Sequence, residues 1–278
     1  MKSKHLSACV ALLFAACAHA GGPAPHWEYE GENGSRTWGG LDPNFKTCGL
    51  GKRQSPINIE EREAEKGGLK PIPFSYKAGP AQLVNNGHTI QVDLPNSGSA
   101  RFDGMEYRLA QFHFHTPSEE KINGMATHMV AHLVHRAGDT KLAVIAVLIK
   151  LGKENAALKP VFDNLPPSEG KTFSIASFNP ADILPADPTY FAYIGSLTTP
   201  PCTEDVKWHV MKTPIEISYA QLAAFKKLYK MNARHTQATN GRRVQMMVPE
   251  AGGGGAGAAP AAASAPAAGG KASAGGHH

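Results

Sequence analysis

The sequence predicts one α+β domain built on a large, mainly antiparallel twisted β-sheet with a few short peripheral helices. Gly and Pro, 29 and 21 of 278 residues, interrupt the chain too often for long helices and favour strands and turns. Several short segments alternate apolar and polar residues with the period of two that marks a half-buried strand. Between two atypical ends lie roughly 230 residues, an ordinary size for one β-rich domain and enough to bury a sizeable core. No internal repeat or linker divides them.

At the N-terminus, Lys2 and Lys4 precede the apolar stretch from Val10 to Ala16, and Ala18-His19-Ala20 follows. A charged start, a short apolar run and an A-x-A site read as a secretory signal over residues 1–20. Cleavage after Ala20 would leave a periplasmic or secreted chain, with lipidation at Cys17 as the alternative. The run is too short to span a bilayer, and no later segment is apolar for long enough. Residues 251–278 are almost entirely Gly, Ala, Pro and Ser, with no large apolar side chains to offset the entropy of ordering them. They read as a flexible tail whose final His277-His278 is solvated, which leaves 21–250 as the domain.

Within the domain, Leu109–His115 alternates so that Gln111, His113 and His115 share one face while Phe112 and Phe114 take the other. His128–His135 alternates too, with His128, Val130, His132 and Val134 on one face. Turn formers between Pro117 and Gly124 make antiparallel pairing of these two strands the expected arrangement. Leu142–Leu151 is apolar almost throughout, as in a strand buried on both faces. Val206–Met211 is a further short strand. Asn155–Phe162 is a candidate short helix. A second begins at Ser218, where Ser218 and Gln221 form a capping box ahead of Leu222, Phe225 and Tyr229.

The formal net charge is +5, and the Lys and Arg residues are scattered without interleaved aromatics. That describes a solubilising surface rather than a nucleic-acid site. Removal of the signal leaves Cys48 and Cys202. In an oxidising compartment an even pair points to a disulfide, the alternative being two buried free thiols. A bridge across 154 positions stabilises by roughly 4–5 kcal/mol in the chain-entropy model.

Two histidines at i and i+2 on a strand point the same way, and a third on a paired strand completes a triangle. Three imidazoles suit Zn2+ and leave its fourth tetrahedral position open to water, whose pKa falls toward about 7. An isolated H-x-H is weak by itself; its company adds the weight. Gln54-Ser-Pro-Ile-Asn-Ile59, Asn85-Asn-Gly-His88, Gln111-Phe-His-Phe-His115, Pro117-Ser-Glu119, His132-Leu-Val-His135 and Gly195-Ser-Leu-Thr-Thr-Pro-Pro201 follow in order. With these motifs the chain resembles the α-class carbonic anhydrases, secreted bacterial type, from about His26 to Val248.

The resemblance implies reversible hydration of carbon dioxide to bicarbonate and a proton, with minor esterase activity. It assigns His113, His115 and His132 as zinc ligands. Thr198 would accept a hydrogen bond from zinc-bound hydroxide because its own proton goes to Glu119. Thr199 would line the bicarbonate site. Val134, Val144, Leu197, Val206 and Trp208 would form the apolar wall for carbon dioxide, although each taken singly reads as strand core. His88 would be the proton shuttle, with Tyr29, Asn86 and Gln91 holding waters on its path. Sulfonamide and anion inhibitors are expected partners, and the chain is expected to be a monomer or dimer.

A metal-bound histidine normally gives its other N–H to an acceptor. Gln111 matches that acceptor for His113, and a backbone carbonyl near Gly241 matches it for His115. For His132 the family supplies a glutamate two residues earlier, where this chain has Val130. The family's Ser-Glu-His is here Ser118-Glu119-Glu120. Either Glu120 reaches His132, assisted by Tyr193, or Glu120 is a solvated turn carboxylate and another group serves the ring. A site weakened by Val130 would leave a non-catalytic binding module on the same fold as the alternative function. A zinc peptidase is disfavoured, since H-E-x-x-H is absent.

Overall fold

The longest apolar run becomes the central strand of the sheet. The computed structural model describes residues 26–249; the expected signal, Cys17 and the tail lie outside the described residues. The strands used below are β1 (Gly79–Asn85), β2 (Ile90–Asp93), β3 (Met105–His115), β4 (Met129–Ala137), β5 (Lys141–Leu151), β6 (Tyr190–Ser196) and β7 (Glu204–Ile217). A twelve-stranded sheet runs in the order Thr172–Phe178, β1, β2, β3, β4, β5, β7, β6, Gln245–Met247, Glu65–Lys66, with Phe74–Tyr76 and Gly98–Phe102 branching from β3. Most neighbours are antiparallel, but β5 and β7 run parallel at the centre. The large, twisted, mainly antiparallel sheet in one domain is the architecture expected from the sequence, with the parallel pairs an addition to it, and among the described residues no helix is long and apolar enough to cross a membrane.

β5 is apolar on both sides because both sides are covered. Ala143, Ile145, Val147 and Ile149 enter a large core shared with Phe112, Phe114, Leu133 and Phe225. Val144, Ala146 and Leu148 enter a second core on the opposite face with Val130, Val134, Trp208 and Val210. At about 25 cal/mol per Å2 of buried apolar surface, a double-faced strand of this kind contributes far more than its backbone hydrogen bonds.

Register places the site. On β3 and β4, His113 faces His132 directly; Gln91 of β2 lies beside His113, and Ala146 of β5 beside His132. Val210 and Phe191 continue the same transverse row. Along this row the side chains are polar from β2 to β4 and apolar from β5 onward.

Helices are short, and some boundaries differ from expectation. The Ser218 capping box forms as expected and opens helix α1 (Tyr219–Leu228), with Tyr229 as its C-cap. The expected helix over Asn155–Phe162 is reduced to Lys159–Phe162. Pro160 sits in its first turn, where a missing N–H costs nothing, and Asn155 Oδ1 instead takes the Leu158 amide in a turn at 3.0 Å. Likewise β7 extends to fourteen residues rather than stopping at Met211.

Outside the sheet, Trp38, Phe45, Cys48 and Cys202 form a small third cluster closed by the Cys48–Cys202 disulfide. This cluster holds the N-terminal layer against the loop that follows β6. Replacing both cysteines by serine is expected to lower unfolding free energy by about 2–5 kcal/mol. Chemical denaturation of the oxidised chain and the double variant measures the difference.

Candidate metal centre and active site

The rings of His113, His115 and His132 lie 5.0, 5.5 and 4.7 Å apart centre to centre. One ring nitrogen from each lies within 4.8 Å of the other two, and among the described residues this is the one His, Cys, Asp or Glu group so arranged. Each remaining nitrogen has an acceptor. His113 Nδ1–H donates to Gln111 Oε1 at 2.9 Å. His115 Nδ1–H donates to the Asn232 carbonyl at 2.7 Å. His132 Nε2–H donates to Glu120 Oε2 at 3.1 Å.

These bonds fix the tautomers, because a carbonyl or carboxylate only accepts. Nε2 of His113, Nε2 of His115 and Nδ1 of His132 are left as lone pairs on the same side of the sheet. Nε2 of His115 is buried without any hydrogen-bond partner. An orphaned lone pair at the centre of three neutral nitrogens is a costly void unless a cation fills it. Burial, then the neighbouring His132, pulls His113 down to about 3 and His115 well below its ordinary range. Burial also pulls His132 down, but the carboxylates of Glu120 and Glu119 outweigh it and raise this ring. The donor set therefore fits a borderline-soft divalent metal with one position open.

Glu119 lies on the metal side. Its Oε2 is 3.5 Å from His115 Nε2 and 3.8 Å from His132 Nδ1. Its Oε1 accepts the Arg234 backbone N–H at 2.7 Å, its Oε2 is buried without a hydrogen-bond partner, and Thr198 lies near enough to help lower its pKa. Burial drives its carboxyl up to about 7; His132, the Arg234 amide and Thr198 pull it down, and Glu120 pushes it up. Glu120 faces the far side of His132. The Tyr193 hydroxyl is 3.3 Å from Ser55 Oγ, and no hydrogen bond joins it to Glu120.

Val134, Val144, Val206 and Trp208 belong to one buried cluster, and Leu197 packs against it. Trp208 meets the His132 ring edge-on at 4.9 Å, so this apolar wall begins beside the histidines. Thr199 follows Thr198 in the turn closed by the Cys202 amide on the Thr199 carbonyl at 2.9 Å.

His88 sits in a turn where Asn86 Oδ1 accepts the His88 and Thr89 amides at 3.0 and 2.9 Å. Its ring stacks on Trp27 at 3.6 Å; Trp27 meets Tyr29, and Tyr29 meets the His115 ring at 6.3 Å. The buried Tyr29 hydroxyl has no partner. Gln91 lies beside His113 and donates to Asp93 at 2.6 Å. Burial, then nearby His26, holds His88 below its ordinary 6.5.

Sequence reasoning missed three residues. The acceptor for His115 is Asn232, not a carbonyl near Gly241, which sits in an exposed turn. Asn232 also donates to the carbonyls of His88 and Phe114 and accepts the Thr116 amide, so one buried side chain ties shuttle turn and ligand strand together. The guanidinium of Arg234 donates to Ser55 and Cys48 carbonyls at 2.7 and 2.9 Å and lies over Trp38. Both residues occupy the stretch after α1, where almost no regular structure forms and no periodicity could locate them. Trp27, the third, lies in a similarly irregular segment.

The family model described as eukaryotic-type carbonic anhydrase matches residues 33–248. The carbonic anhydrase of Neisseria gonorrhoeae is 41% identical over 239 residues, covering 85% of this chain and 92% of that protein. That of Klebsiella pneumoniae is 42% identical over 223 residues, covering 79% and 90%. Among solved structures, the α-carbonic anhydrase of Thermovibrio ammonificans in complex with the inhibitor sulfanilamide superposes with a TM-score of 0.78 at 41% identity, covering 82% of this chain and 100% of that one. With fold, histidine cluster and likeness over most of the chain in agreement, the chain belongs to the eukaryotic-type, or α, carbonic anhydrase family.

Proposed function

We propose that this chain converts carbon dioxide and water to bicarbonate and a proton, reversibly, at a zinc ion held by His113, His115 and His132. The observation that supports it is the convergence of three neutral ring lone pairs whose opposite nitrogens are all engaged by acceptors. Bound there, zinc supplies a Lewis acid that brings the pKa of water down to about 7.

The chain's own residues do the rest. Thr198 gives its proton to Glu119, so its oxygen is left to accept a hydrogen bond from the attacking oxygen and aim it. Carbon dioxide carries no charge or strong dipole, so it rests against Val134, Val144, Leu197, Val206 and Trp208 rather than displacing water from a polar group. Thr199 takes the bicarbonate-lining role that the family resemblance gives it. Closing the cycle sends a proton outward, and His88 accepts it as a neutral imidazole. Tyr29, Asn86 and Gln91 hold the waters between. The held-down His88 is neutral over more of the neutral range, so its contribution to hydration grows as pH rises through a value below 6.5.

The reading extends to sulfonamides as inhibitors, since the similar Thermovibrio ammonificans structure holds sulfanilamide; the family resemblance adds anion inhibitors and weak esterase activity, and the pattern of residues 1–20 adds export.

Stopped-flow acidification by carbon dioxide, on protein whose metal content has been measured, tests the reading. Stoichiometric zinc with hydration well above background, lost on chelation and restored by zinc, is expected; stoichiometric zinc without hydration overturns it. Thr198→Ala should lower kcat/KM by about 100–1000-fold while Thr198→Ser keeps most of it. For His88→Ala, kcat should fall about tenfold or more in dilute buffer with kcat/KM little changed, and added imidazole should restore it.

A further inference from the structure

We infer that Glu120 is the positioning residue of the third metal ligand, a post that the family resemblance gives to position 130; this rests on the zinc reading above. Val130 and His132 are i and i+2 on β4 and share its face. Val130 is fully buried in the apolar cluster and can accept nothing. The His132 ring thus points its outer nitrogen at a place its own strand leaves apolar.

Glu120 fills that place from the turn between β3 and β4. Nε2 of His132 is 3.1 Å from Oε2 and 3.1 Å from Oε1, with the hydrogen bond running to Oε2. The side chain is 0% exposed, so it is not a solvated turn carboxylate.

The turn is fastened on both sides. Ser118 Oγ donates to the Glu120 carbonyl and accepts the Thr127 amide, both at 2.8 Å, and the Ser118 amide bonds the Thr127 carbonyl at 3.0 Å. Directly afterwards, Lys121–Ile122 pairs in parallel with Asn58–Ile59. A carboxylate on such a support is held where the ring needs it rather than free to swing out.

Charge supports the same assignment. Glu119 and Glu120 are both buried on opposite sides of His132, and among the described residues neither forms an ion pair with Lys or Arg. Two buried carboxylates without a cation are expensive. A divalent ion at the centre of the three histidines would supply compensating charge to both. Glu120 reaches that ion only through the imidazole of His132, as an orienting acceptor does.

Rates of zinc loss to excess chelator from Glu120→Gln, Glu120→Ala and the double variant Glu120→Ala with Val130→Glu test this. Both single variants should release zinc about 10–100-fold faster, or hold it that much more weakly, than the parent. The visible spectrum of the cobalt-loaded protein should change as the ligand ring loses its anchor. Val130→Glu in the Glu120→Ala background should restore most of the zinc retention and the parent spectrum, because a carboxylate on the same strand face again meets the ring. Zinc retention within twofold of the parent in Glu120→Gln overturns the inference. So does failure of the double variant to recover when its zinc-free fold, read by circular dichroism, matches the parent. Should Glu120→Ala not fold, the near-isosteric Glu120→Gln decides. A parent that binds no zinc would instead defeat the zinc reading, so the two failures are distinguishable.

Discussion

The pairing of β3 with β4 in one register is the constraint on which the site depends. His113 and His115 share a face because they are two residues apart, and His132 joins them because it lies directly opposite His113. A slip of one residue would turn His132 to the opposite face and bring Leu133 or Ala131 round in its place. The register is fixed by burial on both faces. Phe112, Phe114 and Leu133 fit only the large core, and Val130 and Val134 only the smaller one. The apolar residues between the histidines thus do the aligning, at a cost of several kcal/mol for any alternative pairing.

Alignment alone gives three rings, not three ligands. A neutral imidazole offers a lone pair in a defined direction only when its other nitrogen is tied to an acceptor. The three acceptors come from three levels of organisation. Gln111 is local, two residues away on the same strand. Glu120 belongs to the turn that joins the two strands. Asn232 arrives from a segment more than a hundred residues downstream. Sheet, turn and irregular chain must all be in place before the nitrogens converge, which ties the site to the fold as a whole.

The same sheet face also separates the tasks. Along the row through His113 and His132 it carries polar groups across β2 to β4, while Val130 and Val134 of β4 join the valines, tryptophan and phenylalanine of β5, β7 and β6 in its apolar part. A non-polar substrate and a charged product are handled side by side because the row of side chains changes character at one strand boundary. The parallel β5–β7 pair makes this possible, since a strand buried on both faces can line the apolar half on one side while sealing the main core on the other.

How far the site was legible follows from the same distinction. Period-two alternation made the faces of β3 and β4 readable, and with them the three histidines and Gln111, because alternation is a backbone property that needs no tertiary knowledge. The capping box at Ser218 was legible for the same reason, being a contact across three residues. The limits of β7 and of the short helix at Lys159 were not, because packing and a single proline decide where those elements stop. Nor could Asn232 and Arg234 be found. Their side chains bind carbonyls of distant segments, and a carbonyl leaves no mark on the residue that carries it. Glu120 stands between these cases. The family resemblance implied that an acceptor was missing at Val130 and a carboxylate was surplus in the turn, but only the burial of that turn against Asn58–Ile59 decides that the carboxylate faces the ring rather than water. Local pattern specifies what a residue could do; the long-range contacts that exclude water specify which of those things it does.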